Sequence, residues 1–238
     1  MKITPIACTQ MVDLPDSLRE TEFGSRDDWV DPNTTTDIDM LAEVAGRGCY
    51  KSWSLPNSKT ATNEGYLNNI LNQKHYSVLE HGSVTFYVEH VSRALLLELE
   101  RHRHVSFSVE SQRFVDTEKH HPHVVVPPLM QKHPTIETLL QDHYIKSLAK
   151  YKSAYNYFRD AGEPVKQARE AARAFLLEST PVDLIWTGNV RAMRDVLGKR
   201  WATSADAEIR EFAGLVLDHL RVLAPHSVQD LPEDPYDS

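Results

Sequence analysis

The sequence predicts an α+β protein built as one domain, on three observations. Strand-like runs rich in β-branched and aromatic residues, such as 83–91 and 182–186, stand among longer stretches with apolar residues at helical spacing. A length of 238 residues, 41% hydrophobic and 25% charged, suits one sizeable domain or two small ones. No internal repeat and no linker separates two, so residues 1–229 read as one unit, with 230–238 as a flexible acidic tail.

Residues 2–10 read as an edge-type strand that tolerates Pro5. Residues 13–33 are polar, proline-punctuated and expected to be irregular. Ile38, Leu41, Ala42 and Ala45 set a helix over 36–49, weakened near its end by Gly46 and Gly48. After a loop at 51–59, Tyr66, Leu67, Ile70 and Leu71 set a helix over 62–73. Residues 75–81 interrupt that pattern before the strand at 83–91. Ser92 is placed to cap a helix through Leu95, Leu96 and Leu99. Val105, Phe107 and Val109 then alternate with polar residues, predicting an extended segment that shows its serines on the other face.

Residues 120–134 read as a loop with a strand-like core at Val124, Val125 and Val126. A long amphipathic helix over 135–161 carries Ile136, Leu140, Tyr144, Leu148, Tyr151, Tyr155 and Phe158 on one stripe. Such a stripe can cover a core or form an interface. A helix over 164–177, a strand over 181–187, a helix from Asn189 to about Trp201 and a last helix over 205–223 complete the chain.

Composition excludes several functions. A formal charge of -8 argues against nonspecific binding to nucleic acid or an acidic membrane. No apolar run approaches the roughly 20 residues a spanning helix needs, and residues 1–5 lack the apolar core of a signal peptide. Cys8 and Cys49 form no CxxC and no disulfide framework, which points to a reducing cytoplasm. Twelve histidines occur without an HExxH or zinc-like spacing, so no metal site is expected. There is no GxGxxG, no P-loop and no GxSxG elbow.

The chemistry concentrates at residues 101–113, RHRHVSFSVESQR, where three arginines and three serines follow an apolar run. Arginine keeps its charge and offers five fixed donors, which suits phosphate or carboxylate. Lys166, Arg169 and Arg173 share a helical face, and Arg191, Arg194 and Arg200 ride the helix that Asn189 opens. Each cluster alone is satisfied by a solvated face; together they suggest a site for several phosphates, as a nucleotide plus a dinucleotide cofactor would supply.

Arg101, His102, Arg103, Ser106, Ser111 and Arg113 make six fixed positions that resemble the signature of the flavin-dependent thymidylate synthases. The resemblance runs from residues 46–50 to about Leu223. It implies an α+β domain with a mixed antiparallel sheet and long flanking helices, assembled as a homotetramer with FAD between subunits. It also implies methylation of dUMP to dTMP with methylenetetrahydrofolate and NADPH as co-substrates, the flavin supplying the hydride and no cysteine attacking the ring. Carried over by position, Ser77, Arg101, His102, Arg103, Val109, Asn189, Arg191 and Asp195 would meet FAD. Glu98, Arg101, Ser111, Gln112, Arg113, Arg173 and Arg200 would meet dUMP, with Arg200 in the catalytic role.

Two positions depart from the family pattern: Asp195 stands where many relatives place a histidine, and Val109 replaces Glu or Gln, leaving only its backbone to serve. Two other readings stay open. One is a flavin-dependent C5-methylase of UMP or another pyrimidine nucleotide. The other is a noncatalytic nucleotide-binding module.

Overall fold

The sheet that positions everything else has four strands in the order β1-β4-β6-β5, every neighbouring pair antiparallel. It is seen in a computed structural model that describes residues 1–12, 14, 20–21, 24–25, 35–53 and 57–237. β1 (Lys2–Cys8) is an edge strand with a ladder on one side only, which tolerates Pro5 opposite Phe86, and the register shifts between Pro5 and Ala7. Most of the stretch expected to be irregular, 13–33, lies outside the described residues; within it β2 (Glu20–Thr21) pairs with β3 (Gly24–Ser25).

Helices α1 (Asp37–Tyr50) and α2 (Asn63–Asn72) follow, capped by the side chains of Thr36 and Thr62. Gly46 has a use inside α1: a Cβ there would sit 2.1 Å from the Tyr66 hydroxyl, so glycine lets α2 pack close. A 3₁₀ turn (Tyr76–Glu80) leads into β4 (Ser83–Ser92), and Ser92 caps α3 (Arg93–Leu99) as expected. β5 (Val105–Val109) is the extended segment that the alternation predicts, with Ser106 and Ser108 exposed. β6 (Pro181–Asn189) ends on the residue that caps α8 (Val190–Arg200), and α9 (Ala207–Leu223) closes the helical series.

The sheet is dry on one face, which explains its alternating pattern. Val84, Phe86 and Val88 of β4 and Leu184 and Trp186 of β6 are buried there with Ile209, Phe212, Val216 and Leu220 of α9. Trp186 stacks on Phe86 at 5.8 Å and meets Phe212 edge-on at 5.4 Å. On the other face Thr85 and Thr187 join hydroxyls at 3.0 Å, and the Tyr87 hydroxyl donates to Asp183 at 3.2 Å.

Three expectations are corrected. Val124, Val125 and Val126 form no strand: Val125 N–H donates to Ser179 O at 3.1 Å, and Pro127 and Pro128 bring no N–H to continue a ladder. The segment instead lies between the short helices α4 (Thr117–His120) and α5 (Pro128–Gln131), and Val124 is buried with Tyr144 and Leu148 of α6 (Pro134–Asp160). The helix expected over 164–177 is α7 (Val165–Ala172), closed by a 3₁₀ turn at Arg173–Phe175. Residues 230–237 are tied to the body rather than frayed. Arg194 grips both Asp230 carboxylate oxygens at 2.6 and 2.7 Å, Trp201 donates to Pro232 O, and Tyr236 N–H bonds Trp201 O at 2.9 Å. The stripe of α6 is only partly dry, since Tyr144, Leu148 and Tyr151 are buried while Ile136 is not. Among the described residues no helix is long and apolar enough to cross a membrane.

Candidate active site

The predicted residues gather in three places around α3, β5 and α8. The first is set by the junction of β6 and α8. Asn189 Oδ1 accepts from Ala192 N–H at 2.8 Å, and Val190 N–H donates to Gly82 O at 2.9 Å, which seats the start of α8 beside the 3₁₀ turn. A Cβ on Gly188 would come within 2.9 Å of Val105, so glycine lets β5 approach this junction. The result is a cavity of about 480 Å³ lined by Glu80, His104, Asn189, Arg191, Ala192 and Asp195. Arg191 ion-pairs with Glu80, and Ser77 is exposed on the same turn.

The second place is a polar chain that links α3 to α8. Arg200 donates from Nη1 to the Glu98 carboxylate, from Nη2 to Glu98 O at 3.0 Å, and from Nε to His102 Nε2 at 3.1 Å. His102 is buried, and its Nδ1 lies 3.6 Å from Asp195 Oδ2. Lys199 Nζ reaches both Asp195 oxygens at 2.7 Å. Burial and the Arg200 charge hold the His102 imidazole below its ordinary pKa, against the pull of Asp195. Burial pushes the Asp195 carboxyl up, but Lys199 and His102 outweigh it and leave it below the usual carboxylate value.

The third place is a cavity of about 490 Å³ where Val109, Ser111 and Gln112 meet Arg173, with Arg93 and Glu100 from the α3 side. Ser111 Oγ accepts from Arg113 N–H at 3.4 Å, while the Arg113 guanidinium turns to Glu170 at 2.7 Å.

The two expected cation faces are split. Arg169 bonds Phe114 O and faces Asp116, Lys166 lies over the Phe114 ring, and Arg173 lines the cavity with Ser111 and Gln112. On α8, Arg194 anchors the C-terminal segment, so only Arg191 and Arg200 serve the site region. Among the described residues, Arg101, Arg103 and Arg173 are the arginines whose side chains make no hydrogen bond or ion pair; all three are exposed.

Sequence reasoning missed Arg93, Glu80, His104 and Lys199. Arg93 carried a readable signal, because a cation in the first turn of a helix opposes the helix dipole and needs another reason to be there. Its Nη2 donates to Glu110 O at 3.1 Å and its buried Nε has no partner among the described residues. Burial lowers its pKa, Glu110 opposing and the nearby Arg173 adding to the effect.

Known proteins resemble this chain along most of its length. Over 246 residues the chain is 47% identical to the probable flavin-dependent thymidylate synthase of Mycobacterium phage D29, covering 99% of this chain and 98% of that protein. It is 44% identical over 201 residues to the flavin-dependent thymidylate synthase of Mycobacterium tuberculosis, covering 80% of each. In fold it is similar to Thymidylate Synthase X (ThyX) from Helicobacter pylori, crystallised with FAD and dUMP. The TM-score is 0.67 at 18% identity, over 97% of this chain and 98% of that one. The family described as thymidylate synthase complementing protein, Thy1, matches residues 33–226, and with relatives this similar over this much of its length the chain belongs to that family.

Proposed function

We propose that the protein methylates dUMP to dTMP with FAD, taking the carbon from methylenetetrahydrofolate and the reducing equivalents from NADPH, without a cysteine nucleophile. The observation that carries this reading is the set of unpartnered arginines. In a chain of charge -8, where the other described arginines find acceptors, Arg101, Arg103 and Arg173 stay exposed and free for anions. The relatives, flavin-dependent thymidylate synthases by name, and the pairing of FAD with dUMP in the Helicobacter pylori structure support its flavin and dUMP parts.

The residues present fit a flavin dinucleotide. Arg191 and the start of α8 would serve its phosphates, with Asn189 in the same cavity and Ser77 and His102 as further contacts. Val109, whose backbone the resemblance also gives to FAD, lines the other cavity. Arg101 and Arg103 line neither of these two cavities, which fits a site completed by another copy; we read the assembly as a homotetramer. Ser111, Gln112 and Arg173, which share a cavity, would hold the nucleotide phosphate together with Arg113, which lies outside its lining, and Arg101 and Glu98 would lie nearer the base. When bound, FAD supplies the hydride. The protein's part is to fix the pyrimidine and to meet the negative charge that grows on its ring. Three of the five Arg200 N–H groups are engaged by Glu98 and His102, which leaves two for a uracil carbonyl.

The deciding experiment is dUMP-dependent oxidation of the reduced flavin in purified protein, with UMP beside it. Oxidation with dUMP and formation of dTMP are expected; no reaction with either nucleotide, in protein that has bound FAD, overturns the reading.

Two further outcomes follow. Arg113→Ala should weaken dUMP binding by about 1.5–3 kcal/mol, the worth of a charge-assisted hydrogen bond, while flavin content changes less. The Glu170 pair is no obstacle, since both partners are substantially exposed and such pairs contribute little. Equal affinities by calorimetry would remove Arg113 from the phosphate. Changing both Cys8 and Cys49 to Ser should leave turnover intact. Both thiols are free and exposed, and neither lines either cavity, whereas covalent attack needs an activated thiolate beside the ring. Loss of turnover in folded, flavin-loaded double variant would restore a cysteine mechanism.

A further inference from the structure

The two ring nitrogens of His102 are held by residues of a single helix. Asp195 lies on the Nδ1 side and Arg200 on the Nε2 side, five positions apart on α8, while His102 follows α3. An arginine Nε–H can only donate, because the guanidinium does not lose its proton. His102 Nε2 must therefore accept, and a ring that accepts there is neutral with its proton on Nδ1. We propose that Asp195 is a positioning residue that sets this tautomer of His102 and, through it, the direction of the Arg200 guanidinium. The proposal rests on the reading above, in which Arg200 faces the pyrimidine.

The charges around the ring agree with it. Asp195, Lys199 and Arg200 face it from α8, and Glu98 from α3 holds the far side of Arg200. At 3.6 Å the Asp195 carboxylate is too far for a direct hydrogen bond, yet it favours a proton on the nearer nitrogen electrostatically. Lys199 steadies the carboxylate without occupying the ring. The depressed imidazole pKa is the direction that a neutral ring requires. The departure from the family's usual histidine at 195 thus has a local use: it is paired with Lys199 and turned towards His102, so it does not stand as a bare negative charge beside the cofactor.

Asp195→Asn preserves size and tests the link. The amide removes the charge and can donate to Nδ1, which favours the Nε2–H tautomer and opposes Arg200. Single-turnover, dUMP-dependent flavin oxidation should fall at least about 10- to 100-fold, the loss that follows removal of the outer partner of a metal-bound histidine, with flavin content and dUMP affinity near wild type. In a His102→Gln background the amide oxygen can accept from Arg200 without a tautomer, so adding Asp195→Asn should change the rate little; additive losses overturn the proposal.

Nitrogen NMR of histidine-labelled protein without cofactor gives a second readout, with His102 assigned by its loss in His102→Gln. A proton on Nδ1 in wild type that moves in Asp195→Asn supports the link. A proton on Nε2 in wild type overturns it and leaves the thymidylate reading standing. Wild type that fails to oxidise flavin with dUMP, yet shows the Nδ1–H ring shifting in Asp195→Asn, supports the link and overturns the function.

Discussion

Arg200→Lys should slow single-turnover oxidation of reduced flavin a hundred- to thousandfold at saturating dUMP and folate, and disturb dUMP affinity much less. The planar fork of Arg200 meets the Glu98 carboxylate, the Glu98 carbonyl and His102 Nε2 together, and these contacts point its remaining N–H groups. A lysine ammonium carries its charge at one point and cannot span these acceptors while still presenting a fixed donor to the ring. Losing one preorganised donor to a developing oxyanion costs about 2.7–4 kcal/mol, which is the predicted rate loss. The Arg200 side chain is only 16% exposed, so a free surface arginine, for which lysine would be nearly neutral, is already a poor description. A rate within a few-fold of wild type would take Arg200 out of the chemistry.

The polar network around Arg200 also marks the boundary of what the sequence could disclose. Helices and strands whose apolar spacing matches a dry sheet face were legible, together with their caps: Ser92 on α3 and Asn189 on α8 hold as expected. Val124, Val125 and Val126 misled because β-branched composition records burial, and here burial comes from packing under α6 rather than from a ladder. The acidic segment 230–237 misled because its anchor, Arg194, lies 36 residues upstream of Asp230 and has no local signature. In the site, the residue types of 101–113 were legible and their partners were not. Arg113 meets Glu170 only because α7 lies against the segment after β5, and Arg200 meets Glu98 and His102 only because α8 folds back past α3. Arg93 left a legible trace, a cation set against the dipole at a helix start, but what it does there shows only once its buried Nε is seen.

The second large effect lies away from the site, in α1. Asp39, Glu43 and Arg47 recur every four residues on one face of that helix and are all buried. Arg47 donates to Glu43 Oε1 at 2.6 Å and to Thr60 O at 2.6 Å, with Tyr66 under its guanidinium at 4.4 Å. Glu43 Oε2 accepts from Asn63, whose Oδ1 lies 2.7 Å from His226 Nδ1, and Asp39 accepts the backbone N–H groups of His226 and Ser227 at 2.9 Å. The network therefore clasps the segment after α9 to α1, and Ser227 O in turn accepts from Arg194 of α8, the helix that carries Arg200. Arg47→Ala leaves the Glu43 carboxylate buried without its partner, a change that costs about 3–5 kcal/mol. At 2–4 °C per kcal/mol for a chain of this size, Tm of the cofactor-free protein should fall by roughly 6–20 °C. Replacing both members, Glu43→Met with Arg47→Met, removes the charge instead of orphaning it and should recover much of the loss. A drop of less than about 2 °C in Arg47→Ala, or a double variant as unstable as the single, would mean that water reaches Glu43 and the clasp is not what holds this end of the molecule.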